Sequence, residues 1–128
     1  MPLVHVHVRA GRTAAEKRAI LDGVHAALVE AFRIPDHDRN QILHEHPPEH
    51  LESNKGPQFT LVEATVFPGR GVEAKRRLYA AIARNLEQSP GIDPNAVLVV
   101  LNEPPLESWG FRGGRAASDL HLGFAVKV

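Results

Sequence analysis

The sequence LVHVHVRAGR at residues 3–12 recurs in altered form as LVEATVFPGR at residues 61–70, an offset of 58 positions. The same offset continues without gaps and gives thirteen identities between residues 3–49 and their partners. These include Gly11-Arg12 with Gly69-Arg70, and Leu43 and Glu45 with Leu101 and Glu103. Internal similarity at a fixed offset indicates one structural unit used more than once, so the sequence predicts two fused copies of a supersecondary unit.

Each copy has the pattern of a strand, a helix and a second strand. The first strands are the β-rich runs at residues 3–8 and 59–67, and the second strands are residues 41–44 and 96–101. Thr13 and Glu16 have the spacing of a helix-capping box, and apolar residues follow them at helical intervals. A helical crossover makes the two strands of a copy parallel. The sequence therefore predicts an α/β fold: two tandem β-α-β units forming one four-stranded mixed sheet with two helices on one face.

The domain boundaries follow from the repeat. We expect a single domain over residues 1–128, with the first unit at about 2–50 and the second at about 59–107. The polar, proline-rich residues 47–57 connect the two copies, and residues 108–128 are predicted to form a C-terminal loop and a short strand.

One face of the predicted sheet has no covering layer. Strand alternation leaves open which side chains lie there: Val4, Val6, Val8 and Val62, or Leu3, Leu61 and Leu98. Either set is apolar, and a bare apolar face is a liability in a small protein. We therefore expect other copies of the chain to cover it.

Composition excludes several classes of protein. The 128 residues contain no cysteine, which excludes disulfides, thiol nucleophiles and cysteine-based metal sites. The formal net charge is zero, which argues against nucleic acid as a partner. No apolar run reaches the 18 or so residues of a membrane span, and the N-terminal residues lack the pattern of a secretory signal. The expected location is the cytoplasm.

Pro2 is the first residue with a chemical implication. Removal of Met1, which is usual before a small second residue, would leave a secondary amine at the start of the chain. A free α-amino group has a pKa of roughly 7.7–8.0, and burial or a nearby cation lowers it, so that the amine can act as a general base. Proline at this position also occurs without any chemical role.

The pseudo-two-fold relation between the copies predicts what lies beside Pro2. It makes the two first strands antiparallel, so that Arg70, just after the strand of the second copy, lies near the chain start. An arginine fork suits a carboxylate and its charge lowers the pKa of an amine. At the other end Arg12 is expected to face Thr60, which is internal and has no free amine. For both arginines, an ordinary solvated charge at a helix start is the alternative interpretation.

With these features the chain resembles the tautomerase superfamily, whose members use an N-terminal proline on a β-α-β unit. The residues that carry the resemblance are Met1-Pro2, Gly11-Arg12-Thr13, Gly69-Arg70 and the tandem architecture. The similarity covers nearly the whole chain. It is greatest to the malonate semialdehyde decarboxylase-like branch, through residues 29–46 and the aromatic loop Trp109-Gly110-Phe111.

The resemblance implies a homotrimer without metal or organic cofactor, acting on a small carboxylate. It implies that Pro2 is the catalytic amine, that Asp38 orients or activates water, and that Arg70 binds substrate. It also places Trp109 and Phe111 in the apolar wall of the pocket. As an alternative, Asp38 is an ordinary turn residue, and both aromatic residues are simple loop anchors.

Two positions depart from the decarboxylase pattern. Pro68 stands where that branch has a second arginine, and Asn40 stands where it has a tyrosine. One charge-assisted contact to a carboxylate is therefore missing unless Arg112 or Arg115 supplies it. Such a contact is worth on the order of 1.5–3 kcal/mol.

The leading hypothesis is a cofactor-free tautomerase acting on a small 2-keto or enol carboxylic acid, with Pro2 as general base. The alternatives are a decarboxylase or hydratase of a three-carbon acid such as malonate semialdehyde, and a non-catalytic trimeric binding protein. His5 and His7 alternate on one strand, as His44 and His46 do on the next. Zinc or nickel binding is one interpretation of them, but the spacing matches no established motif, and no metal is expected.

Overall fold

The computed structural model describes residues 1–123. Their elements are, in chain order, β1 (Pro2–Arg9), α1 (Ala14–Phe32), β2 (Gln41–His46), β3 (Thr60–Val66), α2 (Val72–Gln88), β4 (Val97–Asn102), β5 (Gly110–Phe111) and β6 (Arg115–Ala116). Short 3₁₀ turns precede β4 and follow β2, β4 and β6. The last two strands form a hairpin within the predicted C-terminal loop. The predicted strand near the C-terminus lies mostly outside the described residues.

The four long strands form one mixed sheet in the order β2-β1-β3-β4. Within each copy the strands are parallel, whereas β1 and β3 are antiparallel and pair Pro2 with Val66. Both helices cover one face. The predicted fold is therefore confirmed, and the start of β1 lies beside the end of β3.

Strand alternation sorts the side chains between the two faces. On β1 the buried set is Pro2, Val4, Val6 and Val8, and on β3 it is Thr60, Val62, Ala64 and Val66. Apolar residues of the helices, led by Ile20, Val24, Leu28, Leu78 and Leu86, complete this core. The alternate set, with Leu3, Leu61 and Leu98, lies on the other face, which is called here the open sheet face. This answers the question that the sequence left open.

Local sequence fixes the start of α1 and its contact with α2. The Thr13 Oγ1 accepts from the Glu16 N–H at 3.1 Å, and the Thr13 N–H donates to the Glu16 carboxylate at 3.0 Å. These bonds confirm the capping box, and hydrogen bonding from the Thr13 backbone holds the pKa of Glu16 below its usual value. Gly23 lets the helices approach, because a Cβ there would lie 3.2 Å from Leu86.

In residues 1–123, no helix is both long and apolar enough to cross a membrane.

Candidate active site

A cavity of about 380 Å³ lies at the edge of the sheet where β1 starts and β3 ends. The loop at residues 33–40, between α1 and β2, supplies one wall, and the β5–β6 region supplies the opposite one. The lining residues are Met1, Pro35, His37, Asp38, Asn40, Phe67, Phe111, Arg112 and Leu122. The cavity thus combines an apolar wall with a carboxylate, a guanidinium and the N-terminus of the chain.

The N-terminal nitrogen faces Asp38 inside this cavity. The Met1 ammonium donates to Asp38 Oδ2 in an ion pair whose two members are each about one-fifth exposed. Burial lowers the pKa of this amine below 8.0, with hydrogen bonding and charge from Asp38 opposing the shift, and with Arg70 and Arg112 adding to it. Since burial outweighs the carboxylate, the neutral amine forms more readily here than in water.

Asn40 fixes the first residues of β1 against the loop. Its side-chain Nδ2 donates to the Pro2 carbonyl at 3.1 Å, and its own carbonyl accepts from the Val4 N–H at 2.9 Å. Asp38 is held in turn by a backbone bond from its N–H to the Pro35 carbonyl at 3.0 Å. Two backbone segments that are far apart in sequence therefore present the amine and the carboxylate to each other.

Arg70 lies behind the cavity wall rather than on it. Its guanidinium donates to the carbonyls of Phe32 at 3.2 Å and Phe67 at 3.4 Å, and lies 4.9 Å from the centre of the Phe32 ring. The residue is 4% exposed, and its Nε has no hydrogen-bond partner within residues 1–123. The predicted proximity to the chain start is observed, since the charge of Arg70 acts on the N-terminal amine.

Arg112 is the arginine on the cavity wall. It has a left-handed backbone conformation with φ of 52°, which is uncommon outside glycine, and it precedes Gly113-Gly114. Its guanidinium lies 5.4 Å from the centre of the Phe111 ring and donates to the His121 carbonyl at 3.0 Å. The tight turn of the β5–β6 hairpin thus directs a cation toward the amine and Asp38.

The predicted aromatic residues occupy two layers. Phe111 lines the cavity, whereas Trp109 packs edge-on against Phe67 at 4.9 Å between ring centres and donates to the Pro104 carbonyl. Phe67 is the aromatic residue that reaches the cavity from β3. Trp109 therefore supports a wall residue from behind.

Comparison with known proteins identifies the family of the chain. Two family profiles, each described as tautomerase enzyme, match residues 38–112 and residues 2–52. The first spans more than half of the chain. The chain belongs to the tautomerase family.

Relatives with known names or structures cover almost all of the chain. It is 32% identical over 123 residues to the probable tautomerase YrdN of Bacillus subtilis strain 168, covering 91% of this chain and 95% of that protein. A malonate semialdehyde decarboxylase superposes with a TM-score of 0.83 at 32% identity, covering 93% and 99% of the two chains. A fused 4-OT solved as a symmetric trimer gives a TM-score of 0.82 at 30% identity, covering 91% and 96%. These similarities support a tautomerase-type enzyme.

Apart from Met1, five lining residues were not among the predicted site residues: Pro35, His37, Asn40, Phe67 and Leu122. Three of them lie in the loop at residues 33–40, where Asp38 was the only predicted site residue and Asn40 was noted only as a departure from the decarboxylase pattern. Proximity in sequence to Asp38 could have suggested His37. Nothing in the pattern of β3 distinguishes Phe67 from an ordinary core residue, because its role depends on the packing of Trp109.

A histidine ladder, formed by His5, His7, His44 and His46, lies on the open sheet face. His5 Nδ1 is 2.8 Å from His44 Nε2, and His7 Nδ1 is 2.8 Å from His46 Nε2. The rings of His7 and His44 stack with 4.4 Å between centres, and His7 Nε2 lies 3.1 Å from Glu63. Each histidine of β1 therefore pairs through its Nδ1 with a histidine of β2. In the described part of the chain no group of three or more histidine or acidic side chains has the geometry to hold a metal ion.

Proposed function

We propose that the chain is a cofactor-free tautomerase for a small 2-keto or enol carboxylic acid, and that the Pro2 amine, freed by loss of Met1, is its general base. The observation that carries this proposal is the Met1 nitrogen, one residue ahead of Pro2, which lies in a cavity against Asp38 and near two arginines. Burial and the two cations lower the pKa of this amine. After loss of Met1 the same surroundings would favour a neutral Pro2 amine, which is the form that accepts a proton.

The proposed reaction moves one proton between oxygen and carbon. The neutral Pro2 nitrogen accepts the proton of the enol hydroxyl, which leaves an enolate and a Pro2 ammonium. The enolate oxygen then forms the C=O bond as the electron pair of the C=C bond takes a proton from that ammonium, which regenerates the amine. Asp38 stabilises the ammonium between these steps and orients the substrate oxygen or a water molecule. This proton transfer requires no metal, redox group or second substrate.

Two guanidinium groups are proposed to attract the substrate carboxylate. Arg112 makes the direct contact, since it lines the cavity. Arg70 adds positive charge from behind the wall. In this assignment Arg112 supplies the contact that Pro68 removes. Phe111 packs against the substrate carbon chain, with Trp109 supporting the wall through Phe67.

The first test is intact mass before and after exposure to 3-bromopyruvate, followed by peptide mapping. A chain that has lost one methionine and carries the label on Pro2 supports the proposal. A chain that keeps Met1 and takes no label contradicts it, and favours a non-catalytic trimeric binding protein.

Decarboxylation or hydration of a three-carbon acid is the second candidate. The observation that favours it is Asp38, which faces the N-terminal nitrogen and which the family resemblance matches to a water-orienting carboxylate. The superposed malonate semialdehyde decarboxylase has decarboxylase and hydratase activities, which adds support. Asp38→Asn, assayed on a β-keto acid and on an enol, separates the two. Loss of the first activity alone favours the decarboxylase.

We also propose that the chain forms a homotrimer through the open sheet face. Ile42, Leu98 and Val100 are each at least 40% exposed there, and one solved relative is a symmetric trimer. Light scattering after size exclusion should give three times the 14.0 kDa of the chain. A monomer mass would contradict this assembly.

A further inference from the structure

The loop at residues 33–40 supplies four of the nine lining residues: Pro35, His37, Asp38 and Asn40. It begins under strain, because Arg33 ends α1 in a left-handed conformation with φ of 56°. Such a segment presents Asp38 in one place only if contacts outside the loop hold its backbone. Those contacts therefore bear on the geometry between Asp38 and the N-terminal nitrogen.

One contact comes from a buried residue that the proposed mechanism does not use. His25 on α1 is 5% exposed, and its Nε2 lies 2.7 Å from the Asp36 carbonyl oxygen. Because a carbonyl oxygen only accepts, this nitrogen must carry the hydrogen. The Asp36 carboxylate is farther away, at 3.5 Å, and its side chain is 94% exposed. The bond to the backbone is therefore the one that restrains the loop.

The repeat shows that the core does not need an imidazole at this place. The equivalent residue of α2 is Ala83, and the equivalent of Asp36 is Pro94, in a connection that lines no part of the cavity. There Asp93 caps its own turn by accepting from the Asn95 N–H at 2.9 Å. A buried polar ring is costly unless it is hydrogen bonded, so its presence in one copy points to a local task.

We infer that His25 is a positioning residue, which holds the Asp36 carbonyl and thereby fixes Asp38 opposite the N-terminal amine. His25 is not among the residues that line the cavity, so it acts through the loop backbone. The expected effect of His25 on activity rests on the proposed tautomerase function. The expected effect of His25 on the loop backbone is independent of that function.

The test compares variants that differ in whether an N–H reaches the Asp36 carbonyl. His25→Leu removes the donor, and His25→Asn has an amide too short to reach. His25→Gln places an amide N–H near the position of the imidazole Nε2. His50→Leu is the matched control, because it removes an exposed histidine outside the loop and the cavity.

Two readouts are measured on each variant. Hydrogen exchange of the peptide covering residues 33–40 reports how firmly the loop backbone is restrained. Circular dichroism serves as the control that each variant is folded. Ketonisation of enol phenylpyruvate gives kcat and KM. Displacement of Asp38 should lower kcat by about 10- to 100-fold. KM should change by less than about threefold, since the carboxylate contacts remain.

We expect faster loop exchange and lower kcat for the leucine and asparagine variants, with the glutamine variant and the His50→Leu control near the parent. Unchanged loop exchange in a folded His25→Leu or His25→Asn variant would overturn the inference. If the parent itself lacks activity, the proposed function fails. Faster loop exchange in the leucine and asparagine variants, with the glutamine variant near the parent, would still establish the restraint by His25.

Discussion

The two ends of the sheet have the same backbone frame and different chemistry. At one end the N-terminal nitrogen and Asp38 face each other in a cavity, with Arg70 buried behind. Offset by 58 residues, the other end has Thr60 for Pro2, Ala96 for Asp38 and Arg12 for Arg70. Thr60 is fully buried and donates its hydroxyl to the Gln58 carbonyl at 3.0 Å. The frame alone therefore does not make a site.

The clearest case is the arginine that both copies share. Arg12, just before α1, pairs with Glu16 in the first turn of that helix at 3.2 Å, whereas Arg70 reaches across to the carbonyl that ends α1. One residue type at one repeat position thus has a local role in the first copy and a long-range role in the second. The comparison teaches that the repeat supplies the scaffold, and that differences between the two copies supply the candidate site.

The largest expected difference between the two ends is catalytic. Pro2→Ala should lower kcat for enol ketonisation by about 10²–10⁴-fold, because it removes the secondary amine proposed as general base. Thr60→Ser at the equivalent position should leave kcat within about twofold, since it keeps the buried hydroxyl. Steady-state kinetics on both purified variants provide the measurement, and equal effects would refute the assignment of the site to one end.

The two arginines should differ in their effect on stability. Arg70→Ala removes donors from two carbonyls, so we expect its free energy of unfolding to fall by about 2–3 kcal/mol. Arg12→Ala removes only a local pair at the start of α1 and should cost less than about 1 kcal/mol. Urea unfolding of each variant checks this. An Arg12 effect as large as that of Arg70 would show that the burial of Arg70 has no energetic weight.

The histidine ladder occurs in the first copy only, because Thr65 and Asn102 replace His7 and His44 in the second. Burial lowers the pKa of His7 below 6.5, with neighbouring His44 adding to the shift and Glu63 opposing it. The unfolded chain then binds a proton more readily, so stability should fall as the pH drops below about 6.5. His7→Thr should flatten the change in urea midpoint between pH 7.5 and 5.5. If His7→Thr leaves this change in urea midpoint as large as in the parent, the pH dependence does not come from His7.

The smallest expected effect is one that the two copies share. Lys17 pairs with Glu45 at 2.8 Å, and Lys75 pairs with Glu103 at 2.9 Å, at the same repeat positions. Lys17→Ala and Lys75→Ala should each lower the free energy of unfolding by about 0.2–1 kcal/mol, by amounts that agree with each other. If urea titrations show that one of these two variants loses much more free energy of unfolding than the other, the two copies of the repeat differ more than their matching ion pairs indicate.

Much of the fold could be predicted from the sequence because both copies of the repeat show the same strand-helix-strand pattern. The ungapped offset and the crossover rule together predict two parallel strand pairs in one sheet, and the capping box at Thr13 predicts the start of α1. The choice of open sheet face was left undecided because Leu98 and Val100 of β4 are as apolar as Val97 and Val99, although the valines of β1 alternate with two histidines and an arginine. It was decided by the packing of the helices on Val4 and its neighbours.

The site could be predicted only in part. The sequence placed Pro2 and Arg70 near each other through the antiparallel relation of β1 and β3. It gave no sign that Arg70 would be buried, because that depends on the Phe32 carbonyl at the end of a different element. The contact of His25 with Asp36 was equally hidden, since a lone histidine on a helix has no pattern. The roles of Asp38, Arg112 and Phe111 in catalysis stay predictions.

The fused architecture also sets the number of sites. A tandem chain has two β-α-β units and a single N-terminus, so a reagent specific for that amine should saturate at one equivalent per chain. A circular permutant whose chain begins at Phe59 would carry its terminal nitrogen to the opposite end of the sheet. There the new amine would meet Ala96 in place of a carboxylate. Permutation would thus separate the contribution of a chain terminus from that of its acidic partner.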